Sequence, residues 1–277
     1  MHTLRLASRC HGSTSFTSFH RLLSISMADE EEEKDIISTL TDDILCHILS
    51  FLQTKQANAT TILSKRWKHL WLSVPTLYFK NQRKGAEKNI EFRFNDFVFS
   101  VLLSRDAALP IKTFRLKALY DSPELHCPSN SIPIWLNFVV PRGVENLHLY
   151  VDRVGSQKLP SSILTCRTLV VLKLFGFRMD EVFSSVLLPS LKTLHLEWIR
   201  LPELRDLMSF LKGCPILENL LTYYVLFDLK ESLTSEEWKS FCLNNLIQAD
   251  IDCVGSYFPL KAVHNVLSLS FEFDQVC

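Results

Sequence analysis

The chain has 277 residues, 47% of them hydrophobic, with 30 basic side chains balanced by 30 acidic ones. That is enough apolar material for one large or two ordinary cores, and without net charge there is no broad basic field to hold a nucleic-acid backbone. Its 46 leucines against only 7 glycines favour helices and leucine-packed repeats over glycine-rich loops that cradle phosphate.

Residues 1–28 carry Arg5, Arg9 and Arg21, many Ser and Thr, and no acidic residue, the composition of an organelle transit peptide. Met27 stands just before the acidic run Asp29 to Glu33, which favours reading residues 1–35 as a disordered extension and the nucleus or cytoplasm as the compartment. The eight cysteines are scattered singly, with no C-x-x-C pair and no zinc-finger spacing to histidine, so reduced thiols are expected and neither metal nor cofactor is. The longest apolar runs, such as Phe97 to Leu103, fall short of the roughly 18 residues a membrane helix needs.

Residues 36–80 form the next unit. Apolar residues recur at helical spacing, first Ile44, Leu45, Ile48, Leu49 and Leu52, then Ala59, Ile62 and Leu63, then Trp67, Leu70 and Trp71. Three short helices follow, with Thr41, Thr54 and Ser64 as the expected caps and Asp42 and Asp43 in the first turn. So small a trio holds more large apolar side chains than its own interior can cover, which implies a partner surface.

The run L-T-D-D-I-L-C-H-I-L-S-F-L, followed by T-x-x-A and L-S-K-R-W-x-x-L-W, closely resembles the F-box of plant F-box proteins. The resemblance implies docking on a Skp-type adaptor and, through it, a cullin, with Leu40, Thr41, Ile44, Leu45, Ile48, Leu63 and Trp67 at the interface. One position departs from the family pattern, which opens Leu-Pro-Asp where this chain has Leu40-Thr41-Asp42. Proline at the first helical position is preorganised, so its loss costs about 0.4 to 1 kcal/mol of ordering.

Residues 81–110 are expected to link this module to repeats covering 111–277. The repeat signature is apolar-x-x-apolar-x-apolar, at IKTFRL 111, VENLHL 144, LVVLKL 169, LKTLHL 191, LENLLT 217, LNNLIQ 243 and VLSLSF 266. Most of the separations fall in the range of leucine-rich repeats, each unit giving one strand and a returning helix or turn. The last three are degraded, since Thr222 and Gln248 fill apolar slots. Pro202 to Lys212 reads as a helix closed by Gly213 and Pro215, and Thr234 to Glu237 as a capping box opening a helix with Trp238 and Phe241. The segments IPIWLNFVVPRGVENLHL, LPSLKTLHL and LKGCPILENL also resemble the plant F-box and leucine-rich-repeat family, which often continues into a further C-terminal domain that this chain is too short to contain in full. The expected fold class is α+β, a three-helix F-box followed by an α/β leucine-rich-repeat solenoid.

Strand alternation turns the third, fifth and seventh residues of each repeat outward. His148, Tyr150, Lys173, Phe175, His195 and Tyr223 then form an aromatic and polar column suited to holding a protein target. His148 and His195 take equivalent slots but lie two strands apart, roughly 9 to 10 Å, too far to share one zinc. Asp250 and Asp252 have no second carboxylate pair converging on them, and no G-x-S-x-G, phosphate-loop, G-x-G-x-x-G or H-E-x-x-H motif occurs. No catalytic residue is expected. The function implied is that of a target-selecting subunit of a ubiquitin ligase, with a scaffold or a degenerate F-box protein lacking ubiquitin transfer as the alternative.

Overall fold

The computed structural model describes residues 36–81, 90–119, 131–152, 157–180, 186–228, 234, 236, 241–254, 258 and 260–272. The chain divides into two compact units, one ending at Thr41 and the other starting at Asp42. In the first, Ile36–Thr39 form a single helical turn, α1, in which the Thr39 hydroxyl donates to the Ile36 carbonyl at 2.7 Å.

The second unit opens with three short helices, α2 (Asp42–Leu49), α3 (Thr54–Ala59) and α4 (Trp67–Ser73). Asp42 and Asp43 occupy the first turn of α2, where the helix dipole favours acidic side chains, and Asp42 pairs with Arg66 at 2.6 Å. Two of the expected caps do not act as such. Gln53 is the N-cap of α3 and donates its N–H to Gln56 Oε1 at 3.1 Å, while α4 starts from Arg66, two residues beyond Ser64. Leu45, Leu49, Ala57, Trp67, Leu70 and Val74 are buried in this part of the molecule.

The remainder is built on a parallel sheet. Its main row runs β1 (Thr76–Lys80), β2 (Thr113–Ala118), β3 (Asn146–Val151), β5 (Val171–Phe175), β7 (Thr193–Glu197), β9 (Asn219–Phe227), β10 (Gln248–Val254) and β11 (Ser268–Glu272). A second, shorter row links β4 (Gln157–Lys158), β6 (Phe177–Arg178), β8 (Arg200–Leu201) and the end of β9. Helices α5 (Ile90–Ser104), α6 (Ser131–Val139) and α7 (Leu204–Lys212) share one core with the sheet. The alternation of buried and half-buried residues along β3, β5 and β7 accounts for that core: the fourth and sixth residues of each repeat, such as Leu147 and Leu149, are buried against it. Trp135 on α6 is packed between Phe94 and Phe99, edge to face, at 6.3 and 5.7 Å.

The repeats depart from the sequence pattern in two places. The sheet starts inside the segment assigned to the docking module, because Val74, Leu77 and Phe79 carry the same apolar spacing and Thr76 pairs with Thr113. The sixth repeat is displaced by three residues: Gln248 pairs with Asn219, so the buried set is Leu246, Ala249 and Ile251, and Gln248 points outward rather than filling an apolar slot. Thr222 does fill such a slot, buried, and its hydroxyl accepts the Asp252 N–H at 3.3 Å. The capping box at Thr234 to Glu237 and Trp238 lie mostly outside the described residues, as does the extension 1–35; Phe241 is buried in the core.

β5, β7 and β9 each turn a corner into the second row, and these corners carry positive φ: Gly176 at 84°, Trp198 at 52° and Tyr224 at 52°. Left-handed backbone suits glycine and costs a side-chain-bearing residue about 1 to 2 kcal/mol. At the last two corners the indole of Trp198 lies flat on the ring of Tyr224, centroids 4.4 Å apart, which offsets part of that cost.

Candidate functional site

The regular register of the sheet sets outward residues in rows across neighbouring strands. One row reads Tyr78, Arg115, His148, Lys173 and His195, and the next reads Lys80, Lys117, Tyr150, Phe175, Glu197 and Tyr223. Parallel strands lie about 4.8 Å apart, so neighbours in a row touch. The rings of Tyr150 and Phe175 stack at 4.0 Å, and the Lys117 ammonium sits 4.6 Å from the centre of the Tyr150 ring.

These rows line a groove of about 300 Å³ reaching from Tyr78 to His195 and Glu197. Of the six residues expected on this surface, His148, Tyr150, Lys173, Phe175 and His195 line the groove; Tyr223 follows Glu197 in the same row, exposed, beyond the lining. Pattern reading missed Tyr78, Arg115 and Lys117. The last two occupy the fifth and seventh places of the repeat at 111, and the rule that placed Tyr150 and Phe175 applies to them equally.

The groove is cationic. Among the described residues that line it, Arg115, Lys117 and Lys173 face one carboxylate, Glu197. Burial, with Arg115, Lys173 and His195 close by, lowers the pKa of His148 to about 4, and burial with Lys173 lowers that of His195. Both imidazoles are therefore neutral at pH 7. Asp252 lies elsewhere, buried, with its carboxylate accepting the Tyr224 N–H at 3.4 Å, so it supports the corner rather than pairing with Asp250 for acid–base work.

In the helical module the side chains expected at the docking interface fall into two groups. Ile44 and Ile48 share one face of α2, four residues apart and both over 40% exposed, and Leu63 is 62% exposed. Ile62 and Phe51, not singled out by the motif, are more exposed still, at 86% and 75%. Leu45 and Trp67, by contrast, are buried, at 0% and 8% exposure, and pack within the helical module. In the first unit Leu40 is half-buried and Thr41 exposed. The Cys46 thiol donates to the Leu70 carbonyl at 3.7 Å, joining α2 to α4, and burial raises its pKa.

Two protein families match the chain. Residues 37–78 match the F-box domain, and residues 132–254 match the family described as FBD-associated F-box protein At5g56370, LRR repeats. Among individual relatives, F-box/LRR-repeat protein At4g14103 of Arabidopsis thaliana is 40% identical over 197 residues, covering 69% of this chain and 50% of its own length. From the same plant, F-box/FBD/LRR-repeat protein At4g26340 is 39% identical over 190 residues, 67% of this chain and 43% of its own length. FBD-associated F-box protein At4g10400 is 39% identical over 188 residues, with 67% and 44% covered. The chain spans about half the length of the curated relatives it matches.

Proposed function

This chain belongs to the plant F-box and leucine-rich-repeat family, and from that premise we propose that it is the target-selecting subunit of a Skp–cullin–F-box ubiquitin ligase. The helical module docks on a Skp-type adaptor, the adaptor joins a cullin, and the groove on the sheet holds a protein target. The chain supplies no catalytic group: tethering raises the effective concentration of the target's lysines near activated ubiquitin. The observation that carries this reading is the F-box match over residues 37–78, a segment in which Ile44, Ile48, Phe51, Ile62 and Leu63 are all exposed to solvent. Covering several such side chains at about 1.5 to 3 kcal/mol each supplies a gross gain comparable with the cost of association.

Thr41 in place of the family's proline favours a second reading, a degenerate copy that holds an adaptor weakly or not at all. Affinity purification of the full chain from plant cells separates the two. Recovery of both a Skp-type adaptor and a cullin supports the ligase subunit; adaptor without cullin supports a scaffold. If wild type retains no adaptor while Thr41→Pro does, the module is degenerate and the ligase role is wrong.

A further inference from the structure

The cations lining the groove differ from most of those around it. Outside the groove, Lys112, Lys158, Arg178, Lys192 and Arg200 are each ion-paired, to Glu145, Asp180, Asp228 or Glu218. Inside it, Arg115, Lys117 and Lys173 have no carboxylate partner among the described residues, although Lys117 rests over Tyr150. Three like charges converge on a half-enclosed surface around His148, whose imidazole is held neutral by burial first and by Arg115 and Lys173 second. Burial alone would disfavour any charge, but three converging cations with no carboxylate partner among the described residues favour a carboxylate placed among them.

The spacing selects the kind of carboxylate. Arg115 and Lys117 stand two residues apart on β2, on the same face, and so about 6.6 Å apart at the backbone. Side chains at alternate positions of an extended peptide have that same repeat. Lys173 lies two strands away from Arg115, roughly 10 Å off, with His148 between. Beside them the stacked rings of Tyr150 and Phe175 offer a flat apolar wall, and Glu197 ends the cationic region on the far side.

We propose that the groove seats an acidic, extended stretch of the protein target, with carboxylates at alternate residues engaging Arg115 and Lys117 and a further acidic side chain reaching Lys173. The inference rests on the groove being the target-holding surface and names the chemistry it selects. Glu197 repels an acidic residue at its own end, so the stretch ends there in a neutral or basic residue.

Fluorescence anisotropy with the full chain tests it, using a labelled Gly-Ser-Glu-Ser-Glu-Ser-Gly peptide and its glutamine counterpart. The acidic peptide is expected to bind roughly tenfold tighter or better, with affinity falling as salt rises, and Arg115→Gln with Lys173→Glu is expected to remove that preference. Equal binding of the two peptides, or acidic binding that survives the double substitution, overturns the proposal. So does a groove that holds inorganic phosphate but not the peptide, which points to a small anion. A second arm separates this from the underlying reading, by comparing proteins captured in cells on Tyr150→Ala/Phe175→Ala and on Arg115→Gln/Lys173→Gln. Capture lost only in the aromatic variant upholds the groove as a target site and overturns its acidic selectivity; capture unchanged in both removes the groove reading itself.

Discussion

The backbone N–H of Tyr78 donates to the hydroxyl of Thr54 at 2.8 Å, so the first strand of the sheet is pinned to helix α3 of the helical module. Thr54 is 3% exposed, and its hydroxyl is doing the work of a strand partner rather than of the helix cap that sequence suggests. Thr54→Val keeps the shape and removes the acceptor, which leaves the Tyr78 amide without its bond. The expected loss is about 1 to 3 kcal/mol in urea unfolding, larger than for Thr54→Ser, which keeps the oxygen. If valine proves as stable as the native threonine, this bond does not hold the two parts together.

Gly213 and Gly143 are glycines for different reasons. Gly213 has φ near −73°, open to any residue, but a Cβ there would meet the Val186 carbonyl oxygen at 2.6 Å and its Cγ1 at 2.5 Å. Gly143 has φ +76° and, among the described residues, no heavy atom within 4 Å of where a Cβ would stand. Gly213→Ala is therefore expected to cost about 1 to 3 kcal/mol through backbone displacement, and Val186→Ala to rescue it only in part because the carbonyl oxygen and the Cβ at 2.7 Å both remain. Gly143→Ala is expected to cost about 1 to 2 kcal/mol through φ alone, and Gly143→Asn less. Thermal unfolding of the four variants checks both, and full rescue by Val186→Ala would show that neither the carbonyl nor the Cβ of residue 186 is an obstacle.

The apolar spacing V-x-x-L-x-L located the strands well because a parallel strand of this sheet buries residues on one face only, as Leu147 and Leu149 or Leu194 and Leu196 do. It failed where apolar character was ambiguous. At the sixth repeat Leu243 and Leu246 are both buried, and only the small Ala249 marks the true register, which an eye trained on leucine passes over. β1 was hidden because Val74 to Phe79 follow straight on from the helical motif. The second row, strands of two residues each, is held by backbone bonds such as Met179 N–H to Arg200 O at 2.9 Å and leaves no side-chain period to read. For the groove, alternation was sufficient to place His148, Tyr150, Lys173, Phe175 and His195 side by side. The left-handed corners at Trp198 and Tyr224 were not legible, since neither residue type signals positive φ.

Exposure divides the helical module into side chains open to solvent and side chains packed inside it. Ile48→Asp, alone or with Ile44→Asp, is expected to lower adaptor recovery roughly tenfold or more while changing stability by less than about 0.5 kcal/mol. Leu45→Ala opens a cavity in a fully buried position and is expected to cost about 2 to 5 kcal/mol, with adaptor recovery falling only as the folded fraction falls. Pull-down and urea unfolding on the same samples separate the two effects. Adaptor recovery that survives Ile44→Asp/Ile48→Asp would exclude this face of α2 as the docking surface.

The histidine at the centre of the groove gives stability a pH dependence of definite sign. His148 faces Tyr78 on β1, Arg115 and Lys117 on β2, Lys173 on β5, and His195 and Glu197 on β7. Its pKa is about 4 in the folded chain, against about 6.5 for an unperturbed imidazole, because burial and then Arg115 and Lys173 disfavour the charged form. Below pH 6.5 the unfolded chain takes up a proton that the folded chain refuses, so the folded state loses stability as pH falls from about 6.5 toward 4. The ring is only half-buried and solvent screens the field, which holds the expected loss to about 1 to 2 kcal/mol. His195 adds a loss of the same sign. His148→Gln removes the first contribution while leaving every carboxylate in place, so the difference between the two unfolding curves, measured from pH 7 to 4.5, isolates it. The native chain should lose more stability than His148→Gln across that range; parallel curves would mean that the imidazole accepts its proton in the folded groove as readily as in water.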